Sequence, residues 1–213
     1  MPDQDISLSP SPFDKSIYAP TGNPVAGDIF YAVGYALSQW EHAEVLLGTM
    51  FSILMRPTGG THIPLRAFGG ISSSGSRREL IEHGAEAYFA ILLYGCDEGT
   101  VAKGNELHKE IRKYLRLFGD ASRRRDEIAH GVVMSEPITP SHPTPIYFLV
   151  PAFYASRKTE VLPPFKPDYR LSATELNDYA QLFGLLFTRA SELNLQISNF
   201  YLSLPEKSRA LHP

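Results

Sequence analysis

Apolar residues recur at helical spacing along three long stretches of this chain. Between 25 and about 55 there is no proline. Val33, Leu37, Trp40, Leu47, Phe51 and Leu54 follow a three-four spacing that only Glu44 interrupts. Such a pattern lays an apolar stripe along one face of a helix. From about 102 to 130, Leu107, Ile111, Tyr114, Leu115, Phe118, Ile128 and Ala129 predict another long helix, with Gly119 loosening one turn. Leu176, Tyr179, Leu182, Phe183, Leu186, Ala190, Leu193 and Ile197 predict a third, ending near 204. Ile81, Ala85, Tyr88 and Leu92 mark a shorter helix ending near 94, and 65–71 reads as one shorter still.

The punctuation agrees with these periods. Asn23-Pro24 opens the first helix and Arg56-Pro57-Thr58-Gly59-Gly60 closes it. Ser76-Arg77-Arg78-Glu79 and Ser172-Ala173-Thr174-Glu175 have the form of capping boxes, in which serine and glutamate satisfy each other's backbone N–H. Gly131 stands where a glycine ends a helix. After it the period changes. Val132-Val133-Met134 and Ile146-Tyr147-Phe148-Leu149-Val150 are short, apolar and partly β-branched or aromatic, with prolines at 137, 140, 143 and 145 between them. They predict two or three strands, a hairpin with a long turn. Residues 1–24 hold five prolines and show no period, which reads as an extended, poorly ordered arm; 205–213 is a polar tail. The predicted fold is all-α: an up-and-down bundle of four to five helices. One helical domain covers 25–204, with a small β-hairpin insertion at about 132–170 before the last long helix.

Composition narrows the function. The 213 residues carry a net charge of -3, so nucleic acid would have to be met by a local patch rather than a global field. One cysteine, Cys96, excludes an internal disulfide framework and a multi-cysteine zinc site. The seven histidines include no pair three or four residues apart, and no metal or other cofactor is expected. Phosphate-loop, dinucleotide-binding and His-Glu-x-x-His motifs are missing. No apolar run reaches the ~20 residues of a membrane span, and the N-terminus lacks a signal-peptide pattern. A cytoplasmic protein without a membrane partner is the expectation.

Candidate chemistry gathers on the helix predicted at 102–130. Lys109, Arg112, Lys113, Arg116, Arg123, Arg124 and Arg125 fall on it, against Glu106, Glu110, Asp120, Asp126 and Glu127. This is a solvated helix face or, functionally, a strip facing RNA. Ser72-Ser73-Ser74-Gly75-Ser76, followed by Arg77 and Arg78, forms a helix start suited either to capping or to a phosphate. Glu41 and Glu44 lie on or beside the stripe of the first helix. At the end of the basic helix, Arg125 and His130 combine a permanent five-donor cation with the side chain that titrates nearest neutrality. Five residues separate them, roughly 140° around a helix, so they do not stack; Asp126 and His130, four apart, do.

Arg125-Asp126-Glu127-Ile128-Ala129-His130-Gly131 resembles the signature of the HEPN superfamily: an arginine, four to six residues of which the first is polar, then a histidine. Asp126 stands where asparagine is commonest. The order of helices is similar to the HEPN bundle over roughly 25–204, most strongly at 123–131. The resemblance implies a metal-independent endoribonuclease, in which two protomers pair so that two motifs form one cleft. His130 would act as acid or base, Arg125 would stabilise the phosphorane-like transition state, and Asp126 would position one of them. Arg123, Arg124, Arg116, Arg77 and Arg78 would bind substrate, with Glu41 and Glu44 in support. Products would carry 2′,3′-cyclic phosphate and 5′-hydroxyl ends. Many such proteins are toxins or antiviral defence effectors, so an antitoxin or defence-system partner is implied. Toxins held by a nucleotidyltransferase partner often carry tyrosine two residues after the histidine; here that residue is Val132. Other members have lost catalysis, so the alternative is a non-catalytic HEPN-like module that binds nucleotide, RNA or protein.

Overall fold

The computed structural model describes residues 11–13, 17–55, 62–136, 143–152 and 167–205. Helices dominate them: α1 (Ala26–Met55), α2 (His62–Gly69), α3 (Ser74–Leu92), α4 (Glu98–Ala129) and α5 (Ala173–Ser203). Strands β1 (Gly131–Ser135) and β2 (Tyr147–Pro151) form an antiparallel pair between α4 and α5, with Val133 opposite Leu149. The all-α class and the hairpin before the last helix are therefore as the periodicity predicts. The loop expected at 56–60, the hairpin turn at 137–142, residues 153–166 of the insertion, and the ends at 1–10 and 206–213 lie outside the described residues.

The chain divides into two compact units: Met1–Glu41 with Asp120–Leu185, and His42–Gly119 with Leu186–Pro213. In the first, Ile29, Ala32, Ala36 and Trp40 of α1 are buried, as are Ala121 and Ile128 of α4 and Leu176, Tyr179 and Phe183 of α5. Each large apolar side chain buried here contributes about 1.5–3 kcal/mol. Alanine every three to four residues marks this face, and Val33 and Leu37 flank it rather than centre it. Trp40 meets Phe183 edge to face at 5.4 Å. In the second unit, Leu47, Met50 and Leu54 of α1 join Ile81, Tyr88 and Phe89 of α3, Ile111, Leu115 and Phe118 of α4, and Leu193 and Ile197 of α5 as the core.

The caps decide where three helices begin. For α5 the capping box forms as read: Ser172 N–H donates to Glu175 Oε2 at 2.9 Å, and Thr174 N–H donates to Ser172 Oγ at 3.2 Å. For α3 the cap is Ser73, not Ser76: Ser73 Oγ accepts from Ser76 N–H at 3.0 Å, and the helix starts two residues before Ser76. A run of serines offers several equivalent hydroxyls, and the earliest able to cap gives the longer helix. For α4, Asp97 Oδ1 accepts from Thr100 N–H at 2.9 Å, so the helix opens at Glu98.

The segment that reads as a loose arm is packed where it is described. Phe13 is 1% exposed and stacks on Tyr179 and Phe183, centroids 6.4 and 5.9 Å away. Ala19 N–H donates to Arg170 O at 2.7 Å, and Asn23 exchanges both backbone hydrogen bonds with Tyr147, at 3.0 and 2.8 Å. Asn23 Oδ1 also accepts from Ala173 N–H at 2.8 Å, so Asn23 caps α5 rather than α1. Proline content argues against a helix here; it leaves open extended pairing with another strand, which needs no helical period.

Candidate active site

Successive residues on a helix point ~100° apart, so the three arginines near the end of α4 take three different environments. Arg123 is exposed and pairs with Asp120 one turn back at 2.5 Å. Arg124 shares its face with Ile128, four residues on, and Ile128 is in the core. Arg124 is accordingly 7% exposed; its Nη1 lies 2.9 Å from Glu127 Oε2, and the Tyr179 hydroxyl is hydrogen-bonded to its guanidinium. Tyr169 Oη donates to the Glu127 carbonyl at 2.7 Å. Burial above all pushes the Tyr179 phenol up to about 12, and burial raises Tyr169 as well, so both hydroxyls stay protonated across the physiological range; Tyr169 donates, while Tyr179 accepts from Arg124. Arg124, expected to meet substrate, is thus an anchor for the last turns of α4.

Arg125 is half-buried, between exposed Arg123 and buried Arg124. Its side chain is 28% exposed, Nη1 lies 3.1 Å from Asp126 Oδ1, and Nη2 lies 3.7 Å from Glu41 Oε1 on α1. Its Nε is shielded from solvent, with no hydrogen-bond partner among the described residues. The four-residue spacing stacks Asp126 with His130, and the resemblance has Asp126 position either Arg125 or His130. The Asp126 carboxylate turns to Arg125, and the tie to His130 runs through the backbone, His130 N–H to Asp126 O at 3.0 Å. His130 itself is exposed, in the single-residue turn between α4 and β1.

Gly131 explains how the chain turns so sharply after the histidine. It does not take the left-handed conformation of a helix-ending glycine and instead begins β1 directly. A Cβ at Gly131 would sit 2.7 Å from Leu149 Cγ, inside the buried side chain of the facing strand. The glycine is needed for close approach of β2, and that approach fixes where His130 projects.

The remaining predicted residues belong to the second unit. Glu44 is buried and accepts from Arg77 Nη1 at 2.7 Å and from Ser74 Oγ at 3.1 Å. Arg77 Nε donates to Ile71 O at 2.9 Å, and its guanidinium lies over the Phe68 ring. Arg77 is therefore a tie between α1 and the start of α3. Arg78 lies across Gly119, where a Cβ would fall on its guanidinium; that glycine makes room for the arginine without interrupting α4. Arg116 is exposed. A groove of about 520 Å³ in this unit, lined by Lys103, Glu110, Gln196 and Phe200 among others, includes none of these residues.

The basic helix is also less basic in three dimensions than in sequence. Lys109 pairs with Glu106, Lys113 with Glu110, Arg112 with Glu82, and the arginines at 123–125 with Asp120, Glu127 and Asp126. Chemically, the end of α4 offers one exposed imidazole able to accept or deliver a proton, and one guanidinium oriented by two carboxylates. The residues that sequence reasoning does not single out are Tyr169 and Tyr179, which hold the turn beneath. Tyr179 carries the periodic signal of a core position, and nothing in the sequence marks its bond to Arg124. No protein-family model matches the chain, and no curated protein or solved structure matches it.

Proposed function

We propose that the chain is a metal-independent endoribonuclease of HEPN type that acts as a homodimer. Arg125 and His130 of each protomer form half of the cleft. The observation that carries the reading is the sorting of the motif's end: Arg124 is buried in an ion pair, while Arg125 and His130 remain accessible. A buried purely structural motif would not leave both reactive groups at the surface. His130 serves as general base toward the 2′-hydroxyl or as acid toward the leaving 5′-oxygen. Arg125 stabilises the charge that builds on the phosphorane oxygens. Asp126 and Glu41 orient its guanidinium. A toxin or antiviral defence role, held by an antitoxin or defence-system partner, fits an enzyme that destroys cellular RNA.

One observation favours a second reading, a non-catalytic module that binds RNA, nucleotide or protein. Arg125 already faces two carboxylates, Asp126 and Glu41, which offset its charge toward phosphate. The test is incubation of purified protein with RNA in EDTA, followed by end-group analysis. The enzyme reading expects 2′,3′-cyclic phosphate and 5′-hydroxyl ends. Binding without cleavage supports the module.

A further inference from the structure

Two features of the N-terminal segment converge on the turn that carries Arg125 and His130, by separate routes within the first unit. The first route starts at Phe13. Its ring stacks on Tyr179 with an interplanar angle of 12°, and the Tyr179 hydroxyl is bonded to Arg124, which pairs with Glu127. The second starts at Tyr18 and Ala19. Arg170 lies between the Tyr18 ring, 4.6 Å away, and the Phe148 ring, 4.0 Å away, and donates through Nε to Ala19 O at 2.9 Å. The residue before it, Tyr169, donates to the Glu127 carbonyl. Both routes therefore end on 124–127, the turn before His130.

The attachment itself is modest in extent. Among the described residues, its backbone pairing with the rest of the unit is limited to Ala19 with Arg170, Arg170 with Ile17, and Asn23 with Tyr147. Phe13 is its deepest large anchor among them. Ala19, fully buried beside Phe148 and Val150, and the side-chain bonds of Arg170 and Asn23 add to the hold. Terminal segments nonetheless open at lower free energy than the core they cover. The same aromatic seat contains Phe183, which meets Trp40, the chain's single tryptophan.

We propose that the segment bearing Phe13 and residues 17–23 acts as a latch: seated, it holds Tyr179 and Tyr169 against 124–127 and keeps the Arg125–His130 turn ordered; unseated, it releases the turn and switches the site off. The structural coupling stands on the contacts above, while the loss of activity rests on the ribonuclease reading. Phe13 is a positioning residue in this account and touches no substrate.

The test is hydrogen exchange of the full-length protein, wild type against Phe13→Ala, read together with Trp40 fluorescence and RNA cleavage. Phe13→Ala is expected to speed exchange of the amides at 126–131 by about tenfold or more, and to shift Trp40 emission, with helical circular dichroism retained. Phe13→Leu, which refills the seat, restores protection. If Phe13→Ala does not fold, Phe13→Leu and Arg170→Lys are compared in the same way; Arg170→Lys removes the stacked guanidinium while keeping the charge. Unchanged exchange at 126–131 despite a shifted Trp40 signal would overturn the latch. A coupled turn in a protein whose wild type cleaves no RNA would leave the latch standing and refute the ribonuclease reading alone.

Discussion

The Arg125 guanidinium lies 3.7 Å from the Glu41 carboxylate, so the arginine that opens the motif is held from α1 as well as from its own helix. Glu41 is 62% exposed, which keeps the interaction weak in water. Exposed pairs of this kind contribute about 0.2–1 kcal/mol. Glu41→Gln should leave unfolding in urea within that range of the wild type. It should also strengthen RNA binding about two- to fivefold in a filter-binding titration at low salt, by removing a carboxylate that competes with phosphate.

Burial reverses the scale at Glu44. Its side chain and that of Arg77 are 10% and 19% exposed, and Arg77→Ala strands a shielded carboxylate with Ser74 as its remaining donor among the described residues. Breaking a fully buried pair from one side costs about 3–5 kcal/mol. The partial exposure here lowers that to about 2–4 kcal/mol, measured as a lowered urea midpoint. The double change Glu44→Leu with Arg77→Leu should recover much of the loss.

Stability should also fall on mild acidification through His108. Its ring stacks on Phe89 at 5.2 Å, and desolvation, with Arg112 adding repulsion, lowers its pKa from the usual 6.5. Glu86 and Glu82 act in the opposite direction without overcoming this. A histidine with a depressed folded pKa favours folding while neutral. That contribution is complete above about pH 6.5 and is lost as pH falls from there through the folded value. Urea unfolding at about pH 7.5 and about pH 5 should show the loss in the wild type and a smaller one in His108→Phe.

Gly131→Ala adds a methyl where Leu149 already stands. Overpacking of this kind costs about 1–3 kcal/mol. Because β1 must then move from β2, the variant should lose protection of the β1 amides in hydrogen exchange before it loses helical signal.

Much of this is legible in the sequence for a physical reason: helical period and capping chemistry are local. The apolar stripe of α5 and the box Ser172–Glu175 act within a few residues, and they appear as read. Ser73 in place of Ser76 shows the limit of local chemistry where adjacent residues offer the same group. The buried fate of Arg124 follows from its phase relative to Ile128, and its pairing with Glu127 from their three-residue spacing, both of which the sequence contains; its bond to Tyr179 depends on how α5 packs. Least legible are the long-range features. Phe13 reads as part of a proline-rich arm because its partners, Tyr179 and Phe183, lie far along the chain. The arginines of α4 read as a basic strip because sequence charge does not show which carboxylates the helix turns toward them.

The most direct measurement is cleavage of a labelled RNA in EDTA by the wild type, Arg125→Ala, His130→Ala and Arg123→Ala, each first shown to be folded. Wild type and Arg123→Ala are expected to cleave, with losses of about 10²–10⁴-fold for His130→Ala and of similar order for Arg125→Ala. Cleavage that survives both Arg125→Ala and His130→Ala would contradict the ribonuclease reading, as would a wild type that leaves the RNA intact.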